Sequence, residues 1–288
     1  MGLDRFRKKV QEREGTGKEW EQQLKWMRLI PWGFRLSHIP ILGRLLTRNT
    51  FIGDETARNW VVPASHVIRV NQEINVPENV HLPMEVLKPL VQKASYRFRV
   101  HRCLCRDAFG CENYPHDVAC LMLGDAARAL PPSFGEEVTA EGAITHARKA
   151  VGLGLVPTIL WDNDIEDFGG RRENFLAICF CCDCCCDVRM GLTMGTRAFR
   201  KKVLRPPGVT PTVSDECVLC GACTAEGICR VDAITLGPTK AEIDLQECVA
   251  CGRCANVCPT DAISFQIDPG VDVVGQLLAQ IEVRTDIT

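Results

Sequence analysis

Long hydrophobic runs are missing from this chain. Its longest largely apolar stretch, residues 150–161, is twelve residues, short of the roughly 18 to 20 that a helix needs to cross a bilayer. Histidine is scarce, six in 288 residues, and no Cys-x-x-Cys-His stands in the sequence, so covalent haem attachment is not expected. Gly15-Thr-Gly-Lys18 lacks the spacing of a phosphate loop, and Gly152-Leu-Gly154-Leu-Val-Pro157 carries proline where the dinucleotide fingerprint requires its third glycine. ATP, nicotinamide and flavin sites are therefore not expected. The opening residues Met1-Gly-Leu-Asp-Arg-Phe-Arg-Lys-Lys include no apolar signal core, and Phe6 occupies the position where a myristoylation pattern needs Ser or Thr. A cytoplasmic protein is expected.

What is abundant is cysteine, 18 residues in all. In a reducing compartment so many thiols read as metal ligands rather than disulfides. The hydrophobic content of 46% and charged content of 24% are those of a globular chain. Net charge is −2, unevenly spread: residues 1–50 hold eleven Lys or Arg against five Asp or Glu. A basic arm on an acidic body fits docking on an acidic protein face or an anionic membrane, and equally a solvated basic helix. Trp20, Leu24, Met27 and Ile30 recur at helical spacing, and Pro31 is expected to end that helix. The apolar residues that follow, Trp32 to Leu46, fit a membrane interface or packing on the body or a partner. No motif that reads nucleic acid is present.

Further along, residues 83–94 read as a helix restarted or kinked at Pro89, and residues 117–130 and 139–151 as two more, the latter capped by Thr139. Residues 155–161 predict a strand, 187–204 another helix, and Arg205-Pro-Pro-Gly208 a linker. The expected domains are a basic N-terminal arm (1–80), a cysteine-rich helical domain (81–206), a repeat domain (207–268) and a C-terminal helix (269–288).

The repeat is explicit. Glu216-Cys-Val-Leu-Cys-Gly-Ala-Cys, closed by Asp232-Ala-Ile-Thr, returns as Glu247-Cys-Val-Ala-Cys-Gly-Arg-Cys, closed by Asp261-Ala-Ile-Ser. A duplicated unit implies duplicated sites. Cys217, Cys220 and Cys223, like Cys248, Cys251 and Cys254, recur every third position, the spacing with which a loop wraps an iron–sulfur cube; Cys258-Pro259 completes the second run. Paired Cys-x-x-Cys units also hold zinc, but duplicated triplets favour iron–sulfur. Residues 213–268 resemble a bacterial dicluster ferredoxin. That resemblance implies two [4Fe–4S] clusters in a ferredoxin-like (βαβ)2 domain, one on Cys217, Cys220, Cys223 and Cys258, the other on Cys248, Cys251, Cys254 and Cys229. One departure stands out: the first run ends Cys223-Thr-Ala-Glu-Gly-Ile-Cys229-Arg230, two residues longer than the family pattern and with Arg where Pro is expected.

Ten cysteines remain: Cys103, Cys105, Cys111 and Cys120 in one group, Cys179, Cys181, Cys182, Cys184, Cys185 and Cys186 in another. Six within eight residues are exposed to oxidation and have no packing advantage over Val or Ala, so cluster or metal ligation is expected. One division assigns the first four to one cluster and four of the second group to another; a rival builds a single centre from both groups. Either way, one or two further iron–sulfur clusters are expected. This part resembles the cysteine-rich module fused ahead of dicluster ferredoxins in anaerobic redox proteins. Arg102, Arg106, Arg171 and Arg172 flank these cysteines, either to offset cluster charge or as solvated residues. His116 is expected to be a satisfied surface residue.

Taken together, the expected class is α+β, a mainly α-helical cysteine-rich domain followed by the ferredoxin-like domain. The expected function is electron transfer by a subunit of a larger anaerobic oxidoreductase complex, with a redox partner protein and peripheral membrane contact through residues 1–50. The alternatives are a reductase with a catalytic iron–sulfur centre in the cysteine-rich domain, and an iron–sulfur redox sensor. Removing residues 1–50 is expected to spare the two clusters of the repeat and to weaken partner or membrane association, checked by co-purification.

Overall fold

The computed structural model describes residues 18–48, 50–63, 68–70 and 82–288. The first seventeen residues of the expected arm lie outside them, as do most of residues 64–81. The described remainder of the arm is not free. Helix α1 (Lys18–Leu36) runs through Pro31, and Trp20, Met27 and Phe34, seven residues apart, bury one face. Trp20 Nε1 donates to Asp107 Oδ2 at 3.2 Å, and Arg28 Nε donates to the Ala108 carbonyl at 3.1 Å. Phe34 meets Phe51 and Phe199 edge-on, with centroids 6.0 and 5.0 Å away. Burial of this stripe outweighs the hydrogen bond that proline removes, which is why the helix does not stop where its sequence predicts. A 1–50 deletion therefore strips core residues and cannot act on docking alone. The opposite face leaves Trp26, Leu29 and Trp32 exposed. No helix among the described residues is long and apolar enough to cross a membrane.

The cysteine-rich segment differs from the helical expectation in being built on a sheet. Its seven strands are β1 (Arg58–Val61), β3 (Arg97–Val100), β4 (Leu121–Leu123), β5 (Gly135–Glu137), β6 (Val156–Trp161), β7 (Leu176–Cys181) and β8 (Val203–Leu204), in the order β5-β3-β4-β7-β6-β1-β8. Pairings are antiparallel except that β1 and β8 run parallel. Residues 117–130, expected as a helix, hold β4 and a short 3₁₀ turn (Asp125–Ala129). Leu121 and Leu123 point inward with Met122 between them, a two-residue alternation too short to stand out against helical spacing. Helix α3 (Leu82–Lys93) contains Pro89 as expected, and α5 (Ala140–Gly152) is capped by Thr139, whose hydroxyl accepts from Gly142 N at 3.1 Å. Residues 187–204 divide into α6 (Asp187–Met194), α7 (Arg197–Arg200) and β8.

Past residues 205–208 a second sheet begins. Strand β9 (Val209–Val213) pairs antiparallel with β12 (Ile263–Ile267), and β12 pairs parallel with β2 (Ile68–Val70), so the N-terminal region contributes an edge strand to the repeat. Between them β10 (Ile234–Leu236) and β11 (Ala241–Ile243) form a separate hairpin. The C-terminal helix α9 (Val273–Glu282) turns back to the first unit, where Trp60 Nε1 donates to Gln280 Oε1 at 3.0 Å and Phe175 N donates to Thr285 Oγ1 at 3.1 Å.

Phe34→Ala removes a fully buried ring and is expected to cost about 3–5 kcal/mol, whereas Trp32→Ala, at a position 60% exposed, should stay within about 0.5 kcal/mol; chemical denaturation of the two variants measures the difference.

Candidate functional site

Antiparallel pairing gathers cysteines at one end of the seven-stranded sheet. The chain leaves β3 toward Cys103, enters β4 just after Cys120, and leaves β7 through Cys179 and Cys181. Leu121 pairs with Ile178, so Cys120 falls opposite Cys179, and their Sγ atoms are 2.8 Å apart. Cys179 and Cys181 share a face because strand side chains alternate, and Phe180 between them is buried on the other. Cys181 Sγ lies 2.9 Å from Cys186 Sγ, and Cys105 Sγ lies 3.4 Å from Asp187 Oδ1. The hydrogen bond from Cys105 helps lower the Cys103 thiol to about 7. Burial and the neighbouring Cys186 push Asp187 up to about 8. Thus Cys103, Cys105, Cys120, Cys179, Cys181 and Cys186 form one group.

Cys111 separates from the cysteines near it in sequence. Helix α4 (Leu104–Phe109) ends at Gly110, whose φ of 61° lies in the left-handed region that glycine enters without strain. The chain reverses there, and Cys111 meets Cys182, Cys184 and Cys185, all four sulfurs lying within 4.8 Å of one another. The division of the ten into Cys103, Cys105, Cys111 and Cys120 against the later six is therefore not the one the fold makes; both groups mix in each assembly.

The repeat walls two small apolar cavities. The smaller is lined by Cys217, Cys220, Cys223 and Cys258. The larger is lined by Cys229, Cys248, Cys251 and Cys254. Each is thus walled by three cysteines of one run and the last of the other. The longer loop before Cys229 does not prevent this, and Gly227 supplies a φ of 79° within it.

Backbone geometry repeats with the sequence. Leu219 and Ala250 stand at φ 53° and 54°, Asp232 and Asp261 at 54° and 51°. Each such residue stores on the order of 1–3 kcal/mol of strain. In return the chain turns amides onto sulfur: Ala250 N donates to Cys248 Sγ at 3.4 Å and Ala233 N to Cys229 Sγ at 3.2 Å; the β11 amide of Ala241 adds a bond to Cys217 Sγ at 3.4 Å. Burial pushes the Cys248 thiol up to about 11 and raises Cys254 further. For Cys258 burial acts upward too, but the amide and hydroxyl of Thr260 and the amides of Ala262 and Ile263 outweigh it.

Arginines join the two units. Arg189, 4% exposed, lines the larger cavity and interacts electrostatically with Cys251, Cys186 and Cys181. Arg253 Nη1 donates to Asp183 Oδ2 at 3.2 Å and to Tyr114 Oη at 3.1 Å, while Arg230 donates to the Asp183 carbonyl. Arg230 is the residue that replaces the expected proline, and Arg253 stands where the first repeat has Ala222. Two departures from the repeat thus converge on one aspartate. Sequence reading missed Arg189, Arg253 and Asp183; the mismatch between Ala222 and Arg253 was the available signal.

Of the four flanking arginines singled out from the sequence, Arg106 is fully buried and donates to the carbonyls of Pro115 and Val118 from Nη1 and of Phe180 from Nη2. Arg102 pairs with Asp107, and Arg172 reaches Asp54 at 3.0 Å. His116 is satisfied, bonded to Asp107 and, through Nε2, to the Cys111 carbonyl at 2.8 Å.

Residues 241–264 match the 4Fe-4S binding domain family. A ferredoxin of Rickettsia felis (strain ATCC VR-1525 / URRWXCal2) is 40% identical over 55 residues, which is 19% of this chain and 50% of that protein. The chain thus spans about half the length of this curated relative. No solved structure matches it significantly. The family match covers Cys248, Cys251, Cys254 and Cys258, one run of the duplicated pair.

Because Cys258 lines the cavity of the other run, Cys258→Ser is expected to disturb iron–sulfur binding at Cys217, Cys220 and Cys223 rather than at Cys248, Cys251 and Cys254; low-temperature EPR of the variant against wild type checks the crossing. Arg253→Ala breaks the bond to Asp183 and is expected to cost about 1.5–3 kcal/mol, read from denaturation midpoints.

Proposed function

We propose that this chain is an iron–sulfur electron-transfer protein, a subunit of a larger anaerobic oxidoreductase complex. One [4Fe–4S] cluster is assigned to Cys217, Cys220, Cys223 and Cys258, the other to Cys229, Cys248, Cys251 and Cys254, within a ferredoxin-like (βαβ)2 arrangement. The observation that carries the reading is the crossed pair of four-cysteine cavities. Their apolar walls, the amides aimed at sulfur and the duplicated strained turns fit the group. A cluster bound there supplies one-electron redox chemistry.

The chain's own residues do the rest. Thiolates supply the ligands, and hydrogen bonds from amides to sulfur set the potential. Arg189 offsets negative charge between the larger cavity and the cysteine-rich group. Cys220 is exposed beside Val218, Leu219 and Leu236, apolar residues that line the smaller cavity and reach the surface. This rim suits contact with a redox partner, so electrons enter or leave there and the larger cavity leads inward. Cys103, Cys105, Cys120, Cys179, Cys181 and Cys186 are assigned to a further iron–sulfur centre. The exposed face of α1, with Trp26, Leu29 and Trp32, is assigned to complex assembly or a membrane interface.

Protein purified without oxygen is expected to carry about eight irons and eight acid-labile sulfides from the repeat, rising to about twelve of each with one further cubane, and to be reduced in one-electron steps. Colourless protein, or protein that takes zinc and no sulfide, would overturn the proposal.

A further inference from the structure

Eight cysteines line the cavities of the repeat and six form the group around Cys181 and Cys186; Cys111, Cys182, Cys184 and Cys185 belong to neither. Their spacing differs in kind. Around one metal ion with metal–sulfur bonds of about 2.3 Å, tetrahedral geometry sets the sulfurs roughly 3.8 Å apart. A cubane places each thiolate on a separate iron and spreads them wider. All four sulfurs here lie within 4.8 Å, with Cys111 Sγ 3.5 Å from Cys184 Sγ.

The surroundings are those of a built anionic site. Cys185 N donates to Cys182 Sγ at 3.3 Å. Amides of Asn113 and Tyr114 bond to the Cys111 sulfur, and the fully buried guanidinium of Arg106 bonds to Cys182. Four thiolates around a divalent ion leave a net charge of −2, which these donors and the arginine counter. Cys111, Cys182 and Cys185 are buried and Cys184 is exposed, so the site is closed on the protein side and open to an entering ion.

We infer that Cys111, Cys182, Cys184 and Cys185 form a tetrathiolate site for a single divalent transition-metal ion of the zinc or ferrous class, separate from the clusters of the repeat and from the six-cysteine group. The ion ties the turn after β7 to the segment that follows Gly110. It thereby holds Asp183, which lies between two of the ligands, where Arg230 and Arg253 reach it.

The test uses the full-length chain purified without oxygen, as wild type, Cys184→Ser and Cys111→Ser. Zinc, iron and acid-labile sulfide per chain are measured, with circular dichroism to confirm folding. Serine at the exposed Cys184 leaves the packing intact, so that variant stands if Cys111→Ser fails to fold. Each folded variant is expected to lose about one metal atom per chain with sulfide unchanged. Wild type produced with Co²⁺ in the medium should show the d–d bands of tetrahedral cobalt thiolate, absent from Cys184→Ser. Loss of about four irons together with four sulfides would make the site a cubane and overturn the inference; so would unchanged metal content. Wild type lacking sulfide altogether would refute the electron-transfer reading and leave this comparison standing.

Discussion

Sulfur ligands are anionic when they hold metal, and a protein interior tolerates anions only when charge and hydrogen-bond donors stand beside them. This molecule meets that demand with buried arginine. Arg106, Arg189 and Arg253 are all buried, a rare environment for arginine without a partner. Each lies against cysteines or against the turn that carries them. The backbone contributes in parallel: non-glycine residues held at positive φ turn amides onto the sulfurs of the repeat, with strain stored where it has a use.

The same requirement explains how the two halves are joined. A cysteine-rich unit on an antiparallel sheet and a duplicated unit on a smaller one share one buried apolar core. Polar contacts add direction to that join: Asp183 is gripped by Arg230 and Arg253, while Arg189 carries positive charge between the thiols of both units. Strand β2 and helix α9 extend the join, each crossing from one unit to pack on the other. The N-terminal helix adds a third wall, since Trp20 reaches Asp107 on the helix that carries Cys105.

Local signals were read well where they are strong and local. Thr139 capping, the strand near residue 156 and the loop at 205–208 follow from short-range chemistry. The antiparallel sheet did not announce itself, because β3, β4 and β5 are three or four residues long and cannot display a period. Pro31 misled for the converse reason: a local penalty was outweighed by burial of Phe34, a tertiary effect. Arg230 was noticed as a departure, yet its partner lies 47 residues away and only folding brings it near.

From composition and spacing alone followed the metal-binding character of the thiols and the duplicated unit, because ligand geometry imposes a three-residue step on any loop that wraps a cluster. How the other ten cysteines are shared out was decided by the tertiary structure. Strand register sets Cys120 against Cys179, and a left-handed glycine sends Cys111 away from its sequence neighbours toward Cys184. Order along the chain carries no information about either step, since both depend on which strands lie side by side.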